Sequence, residues 1–439
     1  MKTNSRFGTI VFSSLIMLNT LMVWKTTAQD RGSVWVHGLN SSGDNWSKWE
    51  QLFTQERKMF DRTYRGQPYT YNTTGGVQNA ALSVRYSYTP DTRTIYFGHS
   101  MGGVIGREVD VSYPNSVGGF VSFGSPFDGA NIANSVRNGA ANSFISDGVD
   151  KVTRGPSRQL GPVVYIIWNL VVDDVVRSIQ DKLTNVYSQN DQGITDLQEG
   201  SSYLQSGIRN SQTVTPKIHV YGNEQSPVLW RYASSANEYS NGRPAFNDTY
   251  FVDFANTAGD VYEAAMWINY GAAAATGWFT FGIGAIYFYW VGNGWMDGKN
   301  WWRYDSESGW NSLIGANTSS YKTVTYTNFN YNLFSQCLYN SGGYGSSYYP
   351  NRYQQCAAQA QVTTTYYYYS PVNGQSDAFI KAPSQTGYNS AWSNNATTIE
   401  AFGVNHIEML DNPKVADVMR GIFDRTISGV DPFFLTPRR

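Results

Sequence analysis

Apolar residues in this chain gather into short unbroken runs that stop at glycine or turn residues, the pattern of strands buried on both faces of a sheet. Val34, Trp35 and Val36 form the first such run and end at His37-Gly38. Ile95, Tyr96 and Phe97 form the second, followed at once by Gly98-His99-Ser100-Met101-Gly102 and then by a predicted helix through Gly106, Arg107, Glu108 and Val109. Lys217 to Gly222 (KIHVYG) and Thr397 to Phe402 predict further strands. Two stretches follow another pattern. Gly161 to Asn185 reads as a helical block, amphipathic towards its C-terminal half. Ala264 to Met296 carries no charged residue and on length alone would allow a membrane span. Asn269, Gly271, Gly277, Gly282, Gly284 and Asn293 interrupt that run, and Thr276 and Thr280 dilute it. It is read as a Gly-kinked helical pair, with plain buried core as the other reading.

The first residues read differently again. Lys2 and Arg6 precede an apolar run from Thr9 to Trp24, and Thr26-Thr27-Ala28 places a small residue before Gln29. That is the layout of a secretory signal peptide over residues 1–28, removed on export, which implies a secreted or periplasmic protein without a transmembrane anchor. In an oxidising compartment Cys337 and Cys356, the only two cysteines, can pair as one disulfide. Two unpaired buried thiols are the alternative. Neither stands in a metal-ligand spacing.

Composition narrows the classes. The 439 residues suggest about three domains on length alone. Charged residues are 15% of the chain, against about 25% in an ordinary globular domain, and aromatics are also 15%. So low a charge content excludes a charge-rich disordered chain, and a net charge of −1 argues against a nucleic-acid binder. The aromatic excess lies between Trp230 and Tyr369. Within it, Tyr321 to Tyr369 reads as loops and short strands (VTYTNFNY, VTTTYYYY) around the cysteines.

The chemistry enters at Gly98-His99-Ser100-Met101-Gly102, which fits G-x-S-x-G between a strand and a helix. At such a turn the serine sits in a strained backbone conformation. Small residues two before and two after it let strand and helix approach, and the next N–H faces a developing oxyanion. VHGLN (Val36 to Asn40) together with FGHSMGG (Phe97 to Gly103) resembles the α/β-hydrolase superfamily, in particular secreted bacterial lipases and their lecithin–cholesterol acyltransferase-like relatives. The resemblance implies an α/β fold with a mostly parallel sheet flanked by helices and a large inserted cap or lid. It also implies an oxyanion hole from the N–H groups of Leu39 and Met101. Gly118 to Ala130 (GGFVSFGSPFDGA) resembles the lipase strand and the turn after it, with Phe127 where that family often has His. Ile194 to Leu204 (ITDLQEGSSYL) resembles the segment leading into the next strand.

A serine nucleophile needs a neutral imidazole oriented by a carboxylate. The chain has four histidines. His37 ends the first strand, His99 adjoins Ser100 and points elsewhere, and His219 lies inside a strand. His406 remains as the base, and its segment AFGVNHIEML resembles the lipase ending that carries the catalytic histidine. For the acid, Asp377 in GQSDAFIKAPSQTGYNS resembles the lipase turn whose Asp orients that histidine, with Ala378 in place of a glycine. Glu224, directly after a strand end in VYGNEQSP, is the alternative acid. Glu408, two after His406, is read as a solvated surface glutamate. An acid at that offset ligates a structural calcium in some of the lipases resembled, which makes Glu408 a weak calcium candidate.

The resulting expectation is a catalytic domain over residues 29–226 and 375–439, interrupted by an aromatic-rich cap over 227–374. Its chemistry would be hydrolysis of carboxylic esters, lipid esters of the acylglycerol kind, with no cofactor. An apolar cap would offer acyl chains a surface and could contact a lipid interface. An acyltransferase or amidase using the same residues, or a non-catalytic surface binding protein on this fold, are the other readings.

Overall fold

A computed structural model of the chain describes residues 31–39, 41–56, 62–64, 71–159, 191–225, 227–240, 249–279, 283–329, 361–424 and 426–434, with scattered positions in between. The expected signal peptide and the helical block at 161–185 lie outside the described residues.

Six strands form one sheet: β1 (Gly32–Val36), β2 (Arg62–Tyr64), β3 (Ile95–His99), β4 (Gly119–Phe123), β5 (Lys217–Asn223) and β8 (Ala396–Phe402). Their order is β2-β1-β3-β4-β5-β8, and every neighbouring pair is parallel. The apolar runs explain the layering. Trp35, Phe97, Val121, Ile218 and Val220 point to one face, where they pack with Val415, Met419 and Phe423 of a C-terminal helix, Pro413–Phe423. Their neighbours Val34, Val36, Tyr96 and Phe120 point to the other face. There they meet α1 (Val77–Ser87) and α2 (Met101–Ser112). The period of two along each strand thus feeds two separate apolar clusters, and no residue of β1, β3 or β4 is left exposed. This is the expected α/β class, with a parallel sheet flanked by helices.

Between β5 and β8 lies the long insertion. It contains α4 (Val228–Ser240), α5 (Tyr250–Phe279), α6 (Ile283–Asn300) and α7 (Ser306–Leu313). An antiparallel pair follows, β6 (Asn317–Phe329) with β7 (Gln361–Asn373). Two sequence readings change here. Where it is described, the Tyr-rich stretch forms two strands paired over thirteen residues, longer than the short strands expected, and most of the expected loops at 330–360 lie outside the described residues. Continuous runs of Thr and Tyr suit a pleated surface, and pairing satisfies the backbone along the whole length. The uncharged run does form a helical pair, yet its first helix starts well before Ala264, at Tyr250. Further along, Gly292 and Gly298 leave room for the rings of Tyr270 and Tyr262, which a Cβ would approach to 2.5 and 2.1 Å. The polar residues that dilute the run bond between helices: Tyr270 Oη donates to Asn293 Oδ1 at 2.8 Å, and Asn269 Nδ2 to Gln159 Oε1 at 2.9 Å. Gln159 ends α3 (Ala140–Gln159), a helix that precedes the insertion in sequence yet packs on α6. No helix among the described residues is long and apolar enough to cross a membrane.

A third apolar cluster fills this layer. Trp230, Trp301, Trp302 and Trp310 pack there with Ala378, Phe379 and Ile380, so the loop before β8 is anchored by the insertion. Cys337 and Cys356 form a disulfide, 19 residues apart in sequence.

Candidate active site

β3 ends at His99, and Ser100 turns the chain into α2 with φ 54° and ψ −128°. A non-glycine residue at positive φ is rare and costs of order 1–3 kcal/mol, so its surroundings must enforce it. They do so by close approach. A Cβ on Gly98 would come within 2.6 Å of the Gly103 nitrogen, and one on Gly102 within 2.3 Å of the Val36 carbonyl oxygen. The Ser100 N–H donates to the Phe123 carbonyl at 2.9 Å, which ties the turn to β4. Gly38, after β1, backs onto the same serine: a Cβ there would lie 2.8 Å from Ser100 Cβ. Leu39 follows Gly38 and is half-buried. Met101 is the first residue of α2, where backbone N–H groups are not used within the helix.

His406 lies after β8 in a turn, with 6% of its surface exposed. Its Nδ1 is 2.7 Å from Asp377 Oδ2, and its backbone N–H donates to the Asp377 carbonyl, also at 2.7 Å. Asp377 is fully buried. Its second oxygen, Oδ1, accepts from the N–H groups of Phe379 (3.1 Å) and Ile380 (2.6 Å). Those donors hold the carboxylate plane and leave Oδ2 for the imidazole. Ala378, at the position where the sequence departs from its glycine, has φ 68°. Its carbonyl accepts from Trp310 Nε1 at 2.8 Å, a bond from the insertion that holds the loop in this shape.

Gly124 lies between the Ser100 turn and the His406–Asp377 pair. This residue follows Phe123, the partner of the Ser100 N–H, and its φ is 54°. A Cβ on it would fall 2.8 Å from Asp377 Oδ2 and 3.0 Å from His406 Nδ1. His99, adjacent to Ser100, also reaches the pair: its Nε2 lies 3.0 Å from the His406 carbonyl, with ring centroids 4.7 Å apart. Since a carbonyl only accepts, that nitrogen carries the proton. Burial, and then the nearby His406, hold His99 well below the usual imidazole range, so it stays neutral.

The remaining histidines are accounted for. His37 Nδ1 donates to the Gly38 carbonyl at 2.9 Å, the ring stacks on Tyr71, and burial lowers its pKa to about 4. His219 sits between Ser122 Oγ (2.8 Å) and Ser393 Oγ (3.2 Å), and burial lowers it to about 3. The ring of Phe127 packs against His219 and Trp392.

Glu224 does not touch His406. Its Oε1 pairs with Arg231 Nε at 2.7 Å, and its Oε2 accepts from Asn405 Nδ2 at 3.0 Å. Glu408 corrects a sequence reading: it is not a solvated surface residue but is buried, at 1% exposure. It accepts from Ser235 Oγ at 3.0 Å, Asn405 Nδ2 at 3.1 Å and Asn412 Nδ2 at 2.7 Å. A turn residue two after a histidine gives no periodicity from which burial can be read. Burial, with Glu224 close by, raises Glu408 to about 7. Among the described residues no group of three His, Cys, Asp or Glu side chains is arranged to hold a metal ion.

The sequence reading missed His99, Gly124 and Asn405 as neighbours of the pair. For His99 and Asn405 the only available signal was adjacency to Ser100 and His406. For Gly124 it was a glycine ending a buried strand.

No family model and no curated protein matches the chain. Among solved structures, the chain is similar to an extracellular α/β-hydrolase from a Paenibacillus species, at 18% identity over 43% of this chain and 76% of that one, with TM-score 0.24. It is also similar to the esterase RhEst1 from a Rhodococcus species, at 14% identity over 45% and 74%, with TM-score 0.27. A variant epoxide hydrolase from Bacillus megaterium is a third, at 15% identity over 45% and 78%, with TM-score 0.25.

Proposed function

We propose that the chain is an exported serine hydrolase that cleaves carboxylic esters, lipid esters of the acylglycerol kind, through an acyl-enzyme. The observation that carries this reading is the strained Ser100 turn, bonded to Phe123, whose neighbour Gly124 lies against a buried His406–Asp377 pair at 2.7 Å. Ser100 Oγ attacks the ester carbonyl while His406 Nε2 takes its proton. The oxyanion is held by the N–H groups of Leu39 and Met101, and the alcohol leaves with the proton from His406. Water then repeats the sequence and releases the acid. Asp377 fixes the imidazole tautomer with the proton on Nδ1. No redox cofactor takes part in such a sequence.

The lipid part of the proposal is supported by the insertion. Trp267, Ile268, Ile286, Tyr287 and Trp290 are exposed on α5 and α6, in a stretch without charge. Aromatic and aliphatic side chains of this kind suit an acyl-chain or lipid-interface contact.

The test is hydrolysis of p-nitrophenyl esters of increasing chain length, with and without a lipid interface, by the full chain and by Ser100→Ala. Long-chain preference that strengthens at an interface, and loss of turnover in a folded Ser100→Ala protein, are expected. Undiminished turnover in that variant would sink the assignment. Transfer of the acyl group to an alcohol in preference to water would make the protein an acyltransferase.

A further inference from the structure

Asn405 precedes His406 and is fully buried. Its Oδ1 accepts from the N–H groups of Ile407 and Glu408, each at 3.2 Å, and so closes the turn that carries His406. Its Nδ2 lies 2.8 Å from Ser235 Oγ, 3.0 Å from Glu224 Oε2 and 3.1 Å from Glu408 Oε1. Ser235 Oγ is 3.0 Å from Glu408 Oε1, so its hydroxyl accepts from Asn405 and donates to Glu408. Arg231 supplies the countercharge, with Nε 2.7 Å from Glu224 and Nη2 3.8 Å from Glu408. Glu224 in turn donates its N–H to the Ser376 carbonyl at 2.7 Å, one residue before Asp377.

Arg231 and Ser235 lie one turn apart on α4, the first helix of the insertion. The polar groups that hold the His406 turn from beneath, and that reach the Asp377 loop through Ser376, therefore come partly from the insertion and partly from the sheet. A closed network of this kind specifies one geometry, because each member left without its partner would be buried unsatisfied.

We infer that Asn405 and the α4 residue Ser235 are positioning residues for His406, so that the insertion serves the catalytic base. This rests on the proposed role of His406. A purely structural role predicts lost stability with normal chemistry in the protein that remains folded. A positioning role predicts a selective loss in the chemical step.

The experiment uses the full chain and two variants, Ser235→Ala and Asn405→Ala. It measures kcat and KM on a p-nitrophenyl ester, the rate of Ser100 labelling by a fluorophosphonate, and thermal unfolding. The expected result is a fall of about tenfold or more in both kcat and labelling rate, with KM within about twofold. If Asn405→Ala fails to fold, Ser235→Ala, which removes only one hydroxyl, decides alone. Wild-type kcat and labelling rate in a folded Ser235→Ala protein would overturn the inference and leave the Ser100 assignment intact. A wild-type chain that neither labels nor hydrolyses would overturn both.

Discussion

Asp377→Asn isolates one proton. In the native site Oδ1 receives two backbone N–H groups, from Phe379 at 3.1 Å and Ile380 at 2.6 Å, and Oδ2 faces His406 Nδ1 at 2.7 Å. An amide introduced here must turn its oxygen to the two N–H donors, because the opposite orientation sets NH2 against N–H. Its NH2 then donates to His406 Nδ1, and the imidazole proton moves to Nε2. That is the nitrogen that has to accept the Ser100 proton. The same tautomer error in a serine protease costs about 10⁴-fold in kcat, or ~5.5 kcal/mol of barrier, with the geometry intact. A loss of that order in p-nitrophenyl ester hydrolysis is expected, alongside an unchanged circular dichroism spectrum and little change in KM. Glu224→Gln should stay within about tenfold of the native rate, since the Glu224 side chain bonds neither Asp377 nor His406 and a glutamine keeps an oxygen for Asn405 Nδ2. Activity within tenfold of native in Asp377→Asn, or a 10⁴-fold loss confined to Glu224→Gln, would refute this reasoning.

Other expectations follow from single contacts. Gly124→Ala should lower kcat by about 10²-fold in ester hydrolysis, because the added methyl would press on Asp377 Oδ2 and His406 Nδ1. Ala378→Gly should raise the unfolding free energy in denaturant titration by about 0.5–1 kcal/mol: it relieves a left-handed backbone and gives part of that back in chain entropy. Glu408 carries a pKa raised from 4.5 to about 7, so the folded chain holds a proton that the unfolded chain releases between those values. Stability from this group is full below about 4.5 and is lost as pH rises through about 7. Relative to native protein, the melting temperature of Glu408→Gln should therefore gain over that window and level off above it; a difference independent of pH would contradict the assignment.

Much of the sheet and of the candidate site was legible along the chain because its signals are local. A three-residue apolar run ending within a residue or so of a glycine reads as a buried strand without reference to any partner, as Val34–Val36 before His37-Gly38 and Ile95–Phe97 before Gly98 illustrate. The glycines around Ser100 are dictated by contacts between one strand, one turn and one helix, so they appear at fixed spacing. With four histidines in the chain, and three placed by their immediate neighbours, His406 stood out by elimination. The short edge strand Arg62–Tyr64 carries too little pattern to be seen this way.

What the tertiary structure decided is of another kind. Whether Glu408 faces water or protein depends on Ser235 and Asn412, and whether Glu224 or Asp377 meets the imidazole depends on where two loops far apart in sequence come to rest. Neither question has a local signature, because side-chain partners separated in sequence are chosen by packing and by the need to satisfy buried polar groups. The same holds for α4, which by sequence belongs to an inserted cap and by its hydrogen bonds belongs to the support of His406. The chain by itself determined which residue types stand at the turns where chemistry can occur. Only the folded protein determined which of them share a proton, since that depends on ångström-scale distances set by the whole core.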